Sequence, residues 1–163
     1  MKFSISYPLV LLFVIVGLHF VANATWLYET EIVWFDNILH ALAGIAFGLL
    51  WLWVREKKDP RVPLVFRAIS TIVFVFGIAL LWELLEFLFL NLFPSYAYYF
   101  HLHSPSMREA TLDVLSNMMG ALALVLWVLW VGKRNAAATT PTYRINRIKH
   151  DKICKTRPLC NHQ

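Results

Sequence analysis

Apolar residues run in four long stretches, at about 7–24, 34–54, 68–93 and 111–131. At 1.5 Å per residue the last three are long enough to cross a hydrocarbon core of ~30 Å, and the first is marginal. The polar intervals between them read as loops. "REKKDPRVPLVFR" carries Pro60 and Pro63, which break a continuing helix, and "PSYAYYFHLHSPSMRE" is rich in turn formers and boundary aromatics. The pattern predicts an all-α integral membrane four-helix bundle over residues 1–132, followed by a basic, disordered cytoplasmic tail over 133–163.

The first stretch has a second reading. "MKFSISYPLVLLFVIVGLHFVANA" has a basic start, an apolar run and a small-x-small ending at Ala22-Asn23-Ala24, the arrangement of a cleavable signal peptide. The direction of the later spans is the same on either reading. The sequon at Asn23 would matter only in a eukaryotic secretory route.

Charge fixes the direction. Lys2 precedes the first span, Arg55, Lys57, Lys58, Arg61 and Arg67 lie at the second connection, and eight bases follow Trp130, so 14 of the 15 lysines and arginines fall on one side of four alternating spans. Only Arg108 is opposite. The positive-inside rule then places both termini in the cytoplasm of a multi-pass protein of the bacterial inner membrane.

Composition agrees: 59% of the 163 residues are hydrophobic, 15% aromatic and only 15% charged. The formal net charge of +5 is accounted for by topology and so does not point to nucleic acid. The two cysteines, Cys154 and Cys160, form no disulfide framework, and with His150 and His162 they give "H-x3-C-x5-C-x-H", a poor match to close-paired zinc spacing. There is no metalloprotease helix, nucleophile elbow, phosphate loop or dinucleotide fingerprint.

The acids sort opposite to the bases. Glu29, Glu31, Asp36, Glu83, Glu86, Glu109 and Asp113 fall on the outer side or in the outer half of a span, as do His19, His40, His101 and His103. An ionised carboxylate inside a bilayer costs about 2.5–3.5 kcal/mol or more, so these positions call for an explanation. Counted from the span ends, His40, Asn117 and Glu86 each lie roughly 9–11 Å deep, which puts polar groups of three helices in one layer. Asp36, His40, Gly44 and Gly48 form one stripe, Asp113, Asn117 and Ala121 with Gly120 another, and Glu83 and Glu86 are an i, i+3 pair. The "GIAFG" segment is a small-xxx-small pattern that lets helices approach closely. The stripes are therefore expected to face one another, with Glu83 and Glu86 sharing protons with His40, Asn117 and His19.

Four functions fit such a layer. It could be a polar network fixing helix register in a scaffold protein. It could be a site open to the outer face that binds or processes a lipid-linked or envelope substrate, with Glu83, Glu86 and Asp113 as acid–base groups and Asp36, His40 and Asn117 as binding groups. It could be a metal centre, although di-metal bundles use Glu-x-x-His pairs whereas the pair here is Glu-x-x-Glu with a single well-placed His, so no metal ligand is assigned. A proton-coupled transporter would need copies to associate, because four short spans leave little room for alternating access. The second is preferred, with membrane lipid as surroundings and the cofactor unknown. Four carboxylates are a costly way to set register.

The segments "WFDNILHALAGIAFG", "LLWELLEFLF" and "ATLDVLSNMMGALAL" resemble, in order and spacing, small bacterial polytopic proteins of the YjdF type. They resemble more distantly the VanZ-like proteins, whose pattern has lysine where Asn37 stands here. The resemblance covers about residues 34–125 and falls on Asp36, His40, Glu83, Glu86, Asp113, Asn117 and Gly120. The VanZ-like group is associated with low-level glycopeptide resistance, which would imply an envelope role.

Overall fold

The computed structural model describes residues 4–25, 27, 34–102 and 106–156, with side chains up to residue 135. Glu29, Glu31 and His103, and the Cys154, Cys160, His150 and His162 side chains, lie outside that description. The chain is helical, with no strand among the described residues: α1 (Ser6–Ala24), α2 (Trp34–Lys58), α3 (Leu64–Leu92), α4 (Pro94–Tyr99) and α5 (Met107–Thr156). Four of these helices are long and apolar enough to cross a membrane: α1, α2, α3, and α5 over Met107–Asn135. Two compact units make up the chain, Met1–Trp127 and Val128–Gln163. In the second, the Arg134 guanidinium lies 4.2 Å from the centre of the Trp130 ring, a cation–π contact one turn apart.

Helix ends follow capping chemistry, so they differ from the apolar limits by several residues. α2 runs on to Lys58, because Arg55, Lys57 and Lys58 favour a helix and sit well against the negative end of its dipole. It stops at Asp59-Pro60, where Asp59 Oδ1 accepts the Arg61 N–H at 3.2 Å. Pro63 precedes α3, and the Arg67 side chain folds back onto the Val62 and Pro60 carbonyls, closing the turn. α5 begins at Met107 rather than Thr111. Ser106 Oγ accepts the Glu109 N–H at 3.2 Å, so "SMRE" is one half of a capping box. α4 fills part of the loop that the turn formers predict. It closes with a Schellman motif: Leu102 N–H donates to Ala97 O, His101 N–H donates to Tyr98 O, and His101 takes the left-handed position at φ 49°.

Within the first unit the packing is inside-out relative to a soluble bundle. The buried positions are mostly small or aliphatic: Ala22, Ala46, Ala68, Val75, Ala79 and Ala121, with Thr71 and the glycines Gly44 and Gly48. Large apolar residues such as Phe13, Val73, Phe87 and Met119 face outward. Without a hydrophobic drive between helices in lipid, close van der Waals approach over small residues holds such a bundle. At the basic end, α2 and α3 are joined by Trp51. Its ring stacks on Phe74 at 4.4 Å and its Nε1 donates to Ser70 Oγ at 3.1 Å. The Arg55 guanidinium lies over both Trp51 and Phe66. At the acidic end, His19 Nε2 donates to the Phe100 carbonyl at 3.0 Å, tying α1 to the residues that follow α4.

Candidate functional site

The centre of the site is set by two glycines. A Cβ on Gly44 would overlap the main-chain carbonyl of Asn117, and one on Gly120 would overlap that of Ala41, so α2 and α5 touch backbone to backbone. Beyond them, a Cβ on Gly48 would come within 2.7 Å of Leu124 Cδ2. Contacts advance together along both chains, from Asn37 with Ser116, through His40 with Asn117, to Gly48 with Leu124. The two helices therefore run parallel, as the second and fourth of four alternating spans must.

That approach aligns the polar stripes. Asn117 Nδ2 donates to the Asp113 main-chain carbonyl at 3.0 Å and lies 3.0 Å from His40 Nδ1. An amide nitrogen has only hydrogens to offer and a carbonyl only accepts, so the Asp113 contact orients the Asn117 amide. His40 Nδ1 is then an acceptor, and in the neutral ring the proton sits on Nε2. His40 Nε2 lies 3.7 Å from Asp36 Oδ2 and 3.8 Å from Asp113 Oδ1. Both are ion-pair separations, too long for hydrogen bonds. The three side chains thus surround a small space, and one donor atom from each lies within 4.8 Å of the others.

Burial grades across this cluster. The Asp113 side chain is 8% exposed and that of His40 11%, while that of Asp36 is 45% exposed. Asp36 is therefore the most accessible of the three. Ser116 Oγ donates to Asn37 Oδ1 at 3.2 Å and clamps the same helix pair beside Asp36.

The third helix contributes charge. Along α3 the buried stripe Thr71, Val75 and Ala79 continues to Glu86, with Glu83 half-buried between, while Leu84, Leu85, Phe87 and Leu88 face outward. Glu83 and Glu86, together with Asp36 and Glu109, lie within electrostatic reach of Asp113, and His19 of α1 lies within reach of His40. Asp36, His40, Asp113 and Asn117 therefore form one contact cluster, and Glu83 and Glu86 lie on the inward stripe of α3 within electrostatic reach of Asp113.

Glu86 Oε1 accepts a 2.7 Å hydrogen bond from Trp82 Nε1, one turn earlier on the same helix. Depth and facing point from Glu86 to His40, Asn117 and His19 and miss Trp82, although the i, i+4 spacing is the signal that would have found it. Also overlooked is a cavity of about 480 Å³ between α1 and α4, lined by Phe20, Asn23, Tyr98, Tyr99, Phe100 and His101 among others. No sequence pattern marks it, because it exists only where the two elements meet.

A bundle of four apolar helices with a buried polar cluster at one end defines a multi-pass membrane protein. A family described as "Predicted membrane protein (DUF2238)" matches residues 1–134, and the chain belongs to that family, with which the YjdF-type resemblance agrees. The comparison with curated proteins gives no match, and neither does that with solved structures.

Proposed function

We propose that the cluster is a substrate site opening at the outer face of the bacterial inner membrane, where it binds or processes a lipid-linked or envelope substrate. Glu83, Glu86 and Asp113 would supply acid–base function, and Asp36, His40 and Asn117 would hold and orient. One observation carries the proposal: the Asp113 carboxyl group is almost fully buried, yet it makes no hydrogen bond among the described residues. A network kept only for register holds its members in mutual hydrogen-bond contact, and the 3.7 and 3.8 Å separations around His40 fall short of that. A carboxyl group held in this state is set up to meet something the protein alone does not provide. The VanZ-like resemblance, through its link with glycopeptide resistance, supports an envelope substrate.

The test is a pair of isosteric variants, Asp113→Asn and Glu86→Gln, in a deletion strain with an envelope-stress or glycopeptide-sensitivity defect. Both should accumulate and keep the thermal stability of the parent in detergent while failing to complement. Full complementation by both would leave a scaffold in place of a site.

A further inference from the structure

The space between Asp36, His40 and Asp113 has the size and donors of a cation site. Two sides of the triangle formed by Asp36 Oδ2, His40 Nε2 and Asp113 Oδ1 are 3.7 and 3.8 Å, and the donor atoms of the three residues lie within 4.8 Å of one another. A point equidistant from three donor atoms so spaced is no more than ~2.4 Å from each, short enough for metal–oxygen bonds, which run from ~2.0–2.1 Å for magnesium to ~2.3–2.6 Å for calcium. The group comes from two helices whose backbones are locked together at Gly44 and Gly120, so its geometry is held by the fold. Independently, the Asp113 side chain is more than nine-tenths buried, points into this space and has no hydrogen bond among the described residues.

We infer that Asp36, His40 and Asp113 bind a divalent cation of the manganese type. Two carboxylates and one imidazole form a mostly hard donor set, and three protein ligands leave half of an octahedral shell for water and substrate oxygens. The role of the cation rests on the proposed function. Lipid-linked envelope substrates commonly carry phosphate, and a phosphate cannot approach Asp36, Asp113, Glu83 and Glu86 without a counter-charge. Arg108 is the only lysine or arginine on the acidic side of the spans. The cation fills that gap, bridging the carboxylates to the substrate in the way magnesium joins one or two carboxylates to phosphates elsewhere.

Cation binding makes a demand on Asn117. A ligating Nε2 has to be bare, so Nδ1 would carry the proton and need an acceptor. The Asn117 amide now presents its nitrogen to Nδ1, held there by the bond to the Asp113 carbonyl. On cation binding the amide turns over, Oδ1 accepts the Nδ1 proton, and the bond to Asp113 is given up. Asn117 is thus a positioning residue. An aspartate in its place would accept the Nδ1 proton without turning and make a carboxylate–histidine–metal arrangement, whose outer partner typically changes metal affinity by 10–100-fold.

The experiment titrates the purified full chain in detergent with Mn²⁺, reading free metal by electron paramagnetic resonance and thermal stability in parallel. One ion should bind per chain, Asp113→Asn and His40→Gln should each weaken binding at least tenfold, and Asn117→Asp should tighten it about tenfold. Glu56→Gln, on the basic side, should leave it unchanged. Should one variant fail to fold, the other ligand variant and the parent stoichiometry still decide. Absence of stoichiometric binding by the parent, or unchanged affinity in both ligand variants, overturns the inference. If no ion binds but the isosteric variants still fail to complement, the substrate site stands without the cation. If an ion binds and those variants complement fully, the cation site stands and the proposed function falls.

Discussion

At the scale of single residues, the two glutamates of α3 separate a bundle-facing position from a lipid-facing one. Glu86 is 9% exposed and accepts from Trp82, whereas Leu84, two residues away, is 51% exposed. Glu86→Lys would strip Trp82 Nε1 of its acceptor and force a longer, charged side chain into a buried, bundle-facing position, and should sharply reduce the amount of folded protein recovered from membranes. Leu84→Ile conserves volume on the outward face and should leave yield and melting temperature unchanged. Normal accumulation of Glu86→Lys would mean that the carboxylate opens to water or headgroups. Trp82→Phe is a milder probe. It removes the donor to Glu86 and keeps an aromatic ring, so the expected loss is about 1–3 kcal/mol, read as a lowered midpoint of thermal unfolding in detergent.

At the scale of helices, the α2–α5 contact is the element that makes the site, and it rests on having no side chain at two positions. Gly44→Ala and Gly120→Ala each drive a methyl group into a main-chain carbonyl that cannot rotate away. Overpacking of this kind costs about 1–3 kcal/mol or more, and it should also part His40 from Asn117 and weaken function beyond the stability loss. Gly17 and Gly77 have nothing within 4 Å of an added Cβ, so alanine there should be neutral or slightly stabilising. A melting temperature for Gly44→Ala equal to that of Gly77→Ala would show that the backbones are not in contact. This level was partly legible in the sequence. Polar residues and glycines recur every four positions, so the stripes could be drawn from helical geometry alone. Helix ends were less legible, because Ser106 and the Asp59-Pro60 pair set them by hydrogen bonding rather than by hydropathy. The distances around His40 were not legible at all. They depend on which helix lies beside α2 and at what offset, and 77 residues separate His40 from Asn117 in the chain.

At the scale of the whole molecule, the remaining question is direction across the membrane. Four helices long and apolar enough to cross would return the chain to the side where it began, and the parallel packing of α2 with α5 agrees with a second and a fourth crossing running the same way. Positive charge then orients the bundle: Arg55, Lys57, Lys58, Arg61 and Arg67 cluster at one end, while the other carries the half-exposed Asp36 and the single base Arg108. The acidic end is therefore expected to face outward and the segment after Lys133 to lie in the cytoplasm. Reporter fusions check this directly. A fusion after Lys133 should be active only with a cytoplasmic reporter, and an insertion within residues 95–108 only with a periplasmic one. Replacing the five bases at the α2–α3 connection by glutamine should leave the polar cluster untouched yet give a mixture of orientations, since the charge bias near that connection falls away. Periplasmic activity of the C-terminal fusion in the parent would turn the bundle over. It would place Asp36 on the cytoplasmic side, and the substrate would then have to be sought in the cytoplasm instead of the envelope.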